Sequence, residues 1–226
     1  MNKEDLIEFE DEVVSRFLNG EIKSPCHLSG GNEEQLIGIF DKSNIKPNDW
    51  VLTTYRSHYH ALLKGMPKEE LMKKILENKS MHIMSKEYKI VSTAIVCGTI
   101  PQAVGVAMAI KRKGEDRKVW CFLGDMASTM GVFYECYKYS CNNDLPITFV
   151  IEDNSLSTDT PTRKAWGELG EYQFDKDCEF GKYYQFKRYP NLIYYKYKRV
   201  FPHYGISERG HPEKRLFVDF DKESKT

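Results

Sequence analysis

The chain has no CxxC pair, no net charge and no long apolar run, and each absence excludes a class of protein. Its six cysteines stand singly at 26, 97, 121, 136, 141 and 178, so neither a zinc ribbon nor a thioredoxin-like redox pair is spelled out. Cys26-His27 has no second pair at ligand spacing. A disulfide framework is not expected in 226 residues without a secretion signal. Cys97, Cys121 and Cys136 sit in apolar segments, where a free thiol behaves as a small hydrophobe. The 33 basic residues balance 33 acidic ones, which leaves no electrostatic footprint for nucleic acid or an anionic membrane. No apolar stretch approaches the roughly 20 residues that span a bilayer. The opening residues, MNKEDLIEFEDEVVSRF, are acidic and amphipathic rather than signal-like, so a cytoplasmic location is expected. No internal repeat or low-complexity tract is present.

What is there suits a single α/β domain over 1–226, since 41% of the residues are hydrophobic. Leu6, Ile7, Val13, Val14 and Phe17 recur with helical period and predict an N-terminal helix within 1–25. A second helix is expected from Asn32, and Pro47-Asn48-Asp49 reads as a turn before a strand at 50–55. Residues 67–79 predict a helix with Pro67 at its start. A nearly all-apolar helix is expected at about 99–113, with small residues for close packing. RKVWCFLG (117–124) is a continuous apolar strand, the kind buried on both faces of a parallel sheet. A helix over 128–142 and a strand over 146–152 complete a βαβ unit, and 191–201 supplies a last strand. The tyrosine-rich stretch 172–198 has no account at this level.

The first strand of that unit ends in Gly124-Asp125, the second in Asp153-Asn154. In a parallel sheet, ligands bind beyond the carboxyl ends of strands. An acid and an amide one crossover apart are hard oxygen ligands suited to Mg²⁺, and a helix N-terminus after Asp125 would offer N–H groups to phosphate. The competing reading is that both are merely turn and cap residues.

This segment resembles the thiamine diphosphate motif, Gly-Asp-Gly followed by Asn-Asn. More widely, the chain is similar to the alpha subunit of the first component of 2-oxo acid dehydrogenases, in five blocks. These are CHLSGGNEEQLIG (26–38), TTYRSH (53–58), KSMHIM (79–84), AIVCGTIPQAVGVAMAIK (94–111) and the segment around Asp125 and Asn154. The resemblance covers roughly residues 20–165. It implies an α/β fold with a parallel sheet flanked by helices, the thiamine diphosphate-binding fold. It implies Mg²⁺ held by Asp125, Asn154 and the carbonyl of Leu156. Tyr55 and Arg56 would hold the diphosphate, Arg56 as a permanently charged fork. Gly124, Met126 and Ala127 would lie against the same group, and Ala94 and Val96 would line the aminopyrimidine through their backbone. A shorter match, KRVFPHYGISE (198–208), would place His203 near the reacting carbon as proton donor or shuttle; a surface loop histidine is the alternative. His58 and His82 are expected to be structural.

The sequence also departs from the family pattern. Met126 stands where the motif has its second glycine, Asp153 replaces the first asparagine, and Cys97 replaces a glycine in the turn near the pyrimidine. The region 166–226 reads as shortened and divergent. Only the diphosphate-gripping half of a thiamine enzyme is matched. The activating glutamate is therefore expected from a separate beta-type subunit in an α₂β₂ assembly acting on a 2-oxo acid. GVFYE (131–135) resembles a subunit-contact segment, and a core helix would explain it equally. Two other functions stay open: the diphosphate-binding half of a split transketolase, and a non-catalytic assembly module of the same fold.

Overall fold

The computed structural model describes residues 1–158, 160–166, 183–185 and 190–201. The N-terminal helix α1 (Lys3–Leu18) starts at a capping box: Asn2 Oδ1 accepts from the Asp5 amide, and the Asp5 carboxylate accepts from the Asn2 amide. Leu6, Phe9, Val13 and Phe17 form its buried stripe, while Ile7 is 37% exposed. Helix α2 (Glu33–Lys42) follows Asn32, as expected, yet the Asn32 side chain does not cap it. Its amide reaches across to the sheet instead, donating to Tyr195 Oη at 3.0 Å.

Among the described residues nine strands form: β1 (Trp50–Thr53), β2 (Met84–Ser85), β3 (Ile90–Ser92), β4 (Val119–Gly124), β5 (Ile147–Asp153), β6 (Leu156–Ser157), β7 (Thr160–Pro161), β8 (Tyr183–Gln185) and β9 (Leu192–Lys196). Seven of them make one sheet in the order β2-β3-β1-β4-β5-β9-β8. Its five central strands are parallel; β2 and β8 join antiparallel at the edges. The expected α/β class with a parallel sheet is therefore present, with antiparallel edges added. β6 and β7 form a separate hairpin.

The remaining helices are α3 (His58–Leu63), α4 (Lys68–Lys74), α5 (Thr99–Lys113), α6 (Asp125–Ser128), α7 (Gly131–Asn142) and α8 (Thr162–Trp166). Two expected helices are divided. The 67–79 helix ends at Lys74 and passes into a π turn (Ile75–Lys79), where Asn78 takes φ 64°. The 128–142 helix is broken by the extended backbone of Met130, which separates α6 from α7. The strand expected over 191–201 stops at Lys196.

The sheet is covered on both faces. One face, with Phe122, Val150 and Tyr195, packs against α1 to α4. The other, with Cys121, Phe149 and Tyr194, packs against α5 and α7. Within GVFYE, Phe133 joins this second core and Tyr134 is 62% exposed. Among the described residues, no helix is long and apolar enough to cross a membrane.

Candidate functional site

β4 and β5 are neighbours in register, Gly124 opposite Glu152, so the residues after them emerge side by side at the carboxyl edge of the sheet. Asp125 begins the four-residue α6, which Ser128 and Thr129 tie down by donating to the carbonyls of Asp125 (2.6 Å) and Met126 (2.7 Å). The next strand outward, β1, delivers Thr54, Tyr55 and Arg56 to the same edge, and the β3–α5 turn delivers Thr93 and residues 95–97. Together they enclose a cleft of about 680 Å³.

Of the residues singled out from the sequence, Tyr55, Arg56, Val96, Gly124, Asp125, Met126, Ala127, Asn154 and Leu156 all line this cleft. Ala94 does not, although its neighbours Thr93 and Ile95 do. His203 lies outside the described residues. His58 is fully buried against Ser80 (Nε2 to Oγ, 2.9 Å), away from the cleft, and His82 is exposed.

Asp125 is 3% exposed and accepts from the hydroxyl of Thr162. Burial, and then the nearby Asp153, push its carboxyl up to about 7. Among the described residues, no lysine, arginine or histidine forms an ion pair with it. Asn154 is held by an Asx turn, its Oδ1 accepting from the Leu156 amide at 3.0 Å while Ser155 sits at φ 61°. Its amide nitrogen donates to Tyr197 Oη at 3.1 Å. Arg56 is 7% exposed, donates to the Leu28 carbonyl at 2.7 Å and lies 5.5 Å from the centroid of the Tyr55 ring. The Tyr55 ring meets that of His27 at 4.4 Å.

The departures from the family pattern are accommodated locally. Cys97 adopts the left-handed conformation a glycine would take, φ 63°, and its thiol donates to the Ala127 carbonyl at 3.6 Å. Met126 has its sulfur 3.9 Å from the Thr129 hydroxyl. Asp153 is buried and satisfied; it accepts from the Ser155 amide at 2.7 Å and from Tyr194 Oη.

The tyrosine-rich stretch now has a partial account. Tyr194, Tyr195 and Tyr197 on and after β9 bond to Asp153, Glu152 and Asn154 respectively. Three consecutive polar residues at the end of β5 thus each have a phenol as partner. Sequence reasoning missed these phenols, and also Glu152 and Thr162. An alternation of tyrosines in a strand that pairs with an acid-rich strand end is the only signal that could have pointed to the phenols.

A cation in this cleft would fit what is present. Among the described residues there is no cluster of three His, Cys, Asp or Glu that could hold a metal. The available donors are one carboxylate, one amide oxygen and the backbone carbonyl of Leu156, an all-oxygen set that suits a hard ion. Among the described residues the buried Asp125 has no cationic partner, and a bound cation would balance its charge.

Comparison with known proteins agrees with this geometry. The family model described as "Dehydrogenase E1 component" matches residues 1–172. The pyruvate dehydrogenase E1 component subunit alpha of Porphyra purpurea is 32% identical over 163 residues, 65% of this chain and 47% of the relative. The human mitochondrial pyruvate dehydrogenase E1 component subunit alpha, somatic form, is 27% identical over 161 residues, 67% of this chain and 40% of the relative. The alpha subunit of acetoin:2,6-dichlorophenolindophenol oxidoreductase from Cupriavidus necator is 29% identical over 184 residues, 77% of this chain and 54% of the relative. The chain thus matches about half the length of these curated relatives. The match takes in every strand end that builds the cleft except that of β9, and the chain belongs to the dehydrogenase E1 component family.

Proposed function

We propose that this chain is the alpha-type subunit of an enzyme that uses thiamine diphosphate and Mg²⁺ to decarboxylate a 2-oxo acid and transfer the acyl or aldehyde unit. One observation carries the reading. In a member of this family, a buried acid without a cationic partner, an oriented amide and a buried arginine meet in one cleft at the carboxyl ends of parallel strands. Asp125, Asn154 and the Leu156 carbonyl would hold the metal. Arg56 and Tyr55, with the backbone of Gly124, Met126 and Ala127, would hold the diphosphate. Ala94 and Val96 would flank the aminopyrimidine through their backbone.

When bound, the cofactor supplies the electron sink that loss of CO₂ from a 2-oxo acid requires. The chain's own residues orient and screen. Arg56 would bring a fixed positive charge to the diphosphate, and its bond to the Leu28 carbonyl keeps it from swinging into solvent. Ile95 and Val96, 71% and 55% exposed, make an apolar rim at the cleft mouth. That rim suits a beta-type subunit that would exclude water and contribute the activating glutamate, in an α₂β₂ assembly. His203 would hold or donate a proton near the reacting carbon.

Calorimetry tests this reading: thiamine diphosphate is titrated with Mg²⁺ into the chain alone and into the chain assembled with a beta-type candidate. Binding that requires the metal and disappears in Asp125→Ala is expected, with 2-oxo acid decarboxylation only by the assembled pair. Turnover of a sugar phosphate instead would move the reading to a split transketolase. Absence of binding even in the assembled pair would leave an assembly module.

A further inference from the structure

Among the described residues, two side chains outside the matched motifs bond to candidate metal ligands: Tyr197 to Asn154, and Thr162 to Asp125. Thr162 sits at the start of α8, just after the β6–β7 hairpin, in which Leu156 pairs with Pro161. The hairpin folds the chain back so that the Thr162 amide donates to the Ser155 carbonyl at 3.1 Å. Thr162 is 7% exposed, and its hydroxyl donates to Asp125 Oδ2. An ionised carboxylate offers roughly four acceptor positions. The Thr162 hydroxyl occupies one of these on Oδ2 and fixes the orientation of the group, which leaves acceptor positions for a bond to a hard cation.

Resting on the thiamine diphosphate and Mg²⁺ reading above, we propose that Thr162 is a positioning residue: its hydroxyl locks the Asp125 carboxylate so that one oxygen position is presented to the metal. Without that bond the Asp125 carboxylate loses the side-chain hydrogen bond that fixes its rotation. The same hairpin carries the Leu156 carbonyl, and its first residue follows the Asn154–Ser155 turn, so one short element would fix three contributions to the metal at once.

The test measures metal affinity rather than turnover. Mn²⁺, as a stand-in for Mg²⁺, is titrated in saturating thiamine diphosphate and the free ion is followed by electron paramagnetic resonance. The protein is used in whichever form the calorimetry finds competent, chain alone or assembled pair. Thr162→Val is expected to weaken Mn²⁺ binding about tenfold, the scale of a lost outer-sphere hydrogen bond, and Thr162→Ser to restore it. Should the valine variant not fold, judged by circular dichroism in chelator, Thr162→Ala carries the same comparison. Wild-type affinity in the variant lacking the hydroxyl, or failure of serine to rescue, overturns the proposal while leaving the metal site intact if Asp125→Ala still abolishes binding. Absence of Mn²⁺ binding in the wild type overturns the proposal and the underlying reading together.

Discussion

Burial and the neighbouring Asp153 push the Asp125 carboxyl up to about 7, against an ordinary value of 3.8. Between those values the folded chain keeps a proton that the unfolded chain has lost, so ionisation of Asp125 opposes folding. Its penalty is absent below the unfolded value, grows as pH rises and is complete above the folded value. The whole effect is on the order of 4 kcal/mol. The wild-type chain in chelator is thus expected to lose thermal stability between about pH 4 and about pH 7, and Asp125→Asn to flatten that slope. At the upper end the asparagine variant is the more stable protein while binding no metal, which scanning calorimetry with and without Mg²⁺ would register. Asp125 and Asn154 were legible in the sequence because each directly follows a strand that its own residues predict. Thr162 and Tyr197 were not, since their roles depend on a hairpin and a strand pairing that bring distant residues into contact.

Two loops on different segments meet at the level of elements, and their fit is close. Gly31 takes φ 103°, and a β-carbon there would lie 2.2 Å from the Lys198 carbonyl oxygen. A Val200 amide to Gly30 carbonyl bond of 3.1 Å joins the same two stretches. Gly31→Ala therefore forces the loops apart and is expected to cost about 3 kcal/mol in urea unfolding. Because the adjoining Leu28 carbonyl anchors Arg56, diphosphate affinity should fall as well. The loop is held from its other side by Glu10 on α1, a fully buried carboxylate that accepts from the amides of Ser29 (2.8 Å) and Gly30 (3.1 Å). Glu10→Ala strands those two buried donors at about 1–3 kcal/mol each, readable in the same unfolding experiment. α1, α5, β4 and β5 were read correctly because their apolar periodicity is continuous. α3 was missed: SHYHALL looks polar, yet His58 and His60 are both fully buried, His60 with its ring 4.5 Å from that of Phe122. The break at Met130 leaves no apolar signal either, because the residue that takes the extended backbone is itself apolar.

The whole molecule depends on a single sheet serving two cores. Phe122 and Phe149 are both fully buried, on opposite faces of adjacent strands. Truncating either to alanine is expected to cost about 3–5 kcal/mol, a large share of the roughly 5–15 kcal/mol that holds a domain folded. Since each strand belongs to both cores, loss of either should appear as one transition, with near- and far-ultraviolet circular dichroism coinciding; separated transitions would mean that the two faces fold independently. The phenols of β9 have a further consequence for how the protein comes into being. Until residues 192–197 have left the ribosome, the acids at the end of β5 have no hydroxyl partners and an open strand edge beside them. The cleft therefore cannot be completed before β9 emerges, and a nascent chain stalled before Leu192 should stay open to protease and to chaperones.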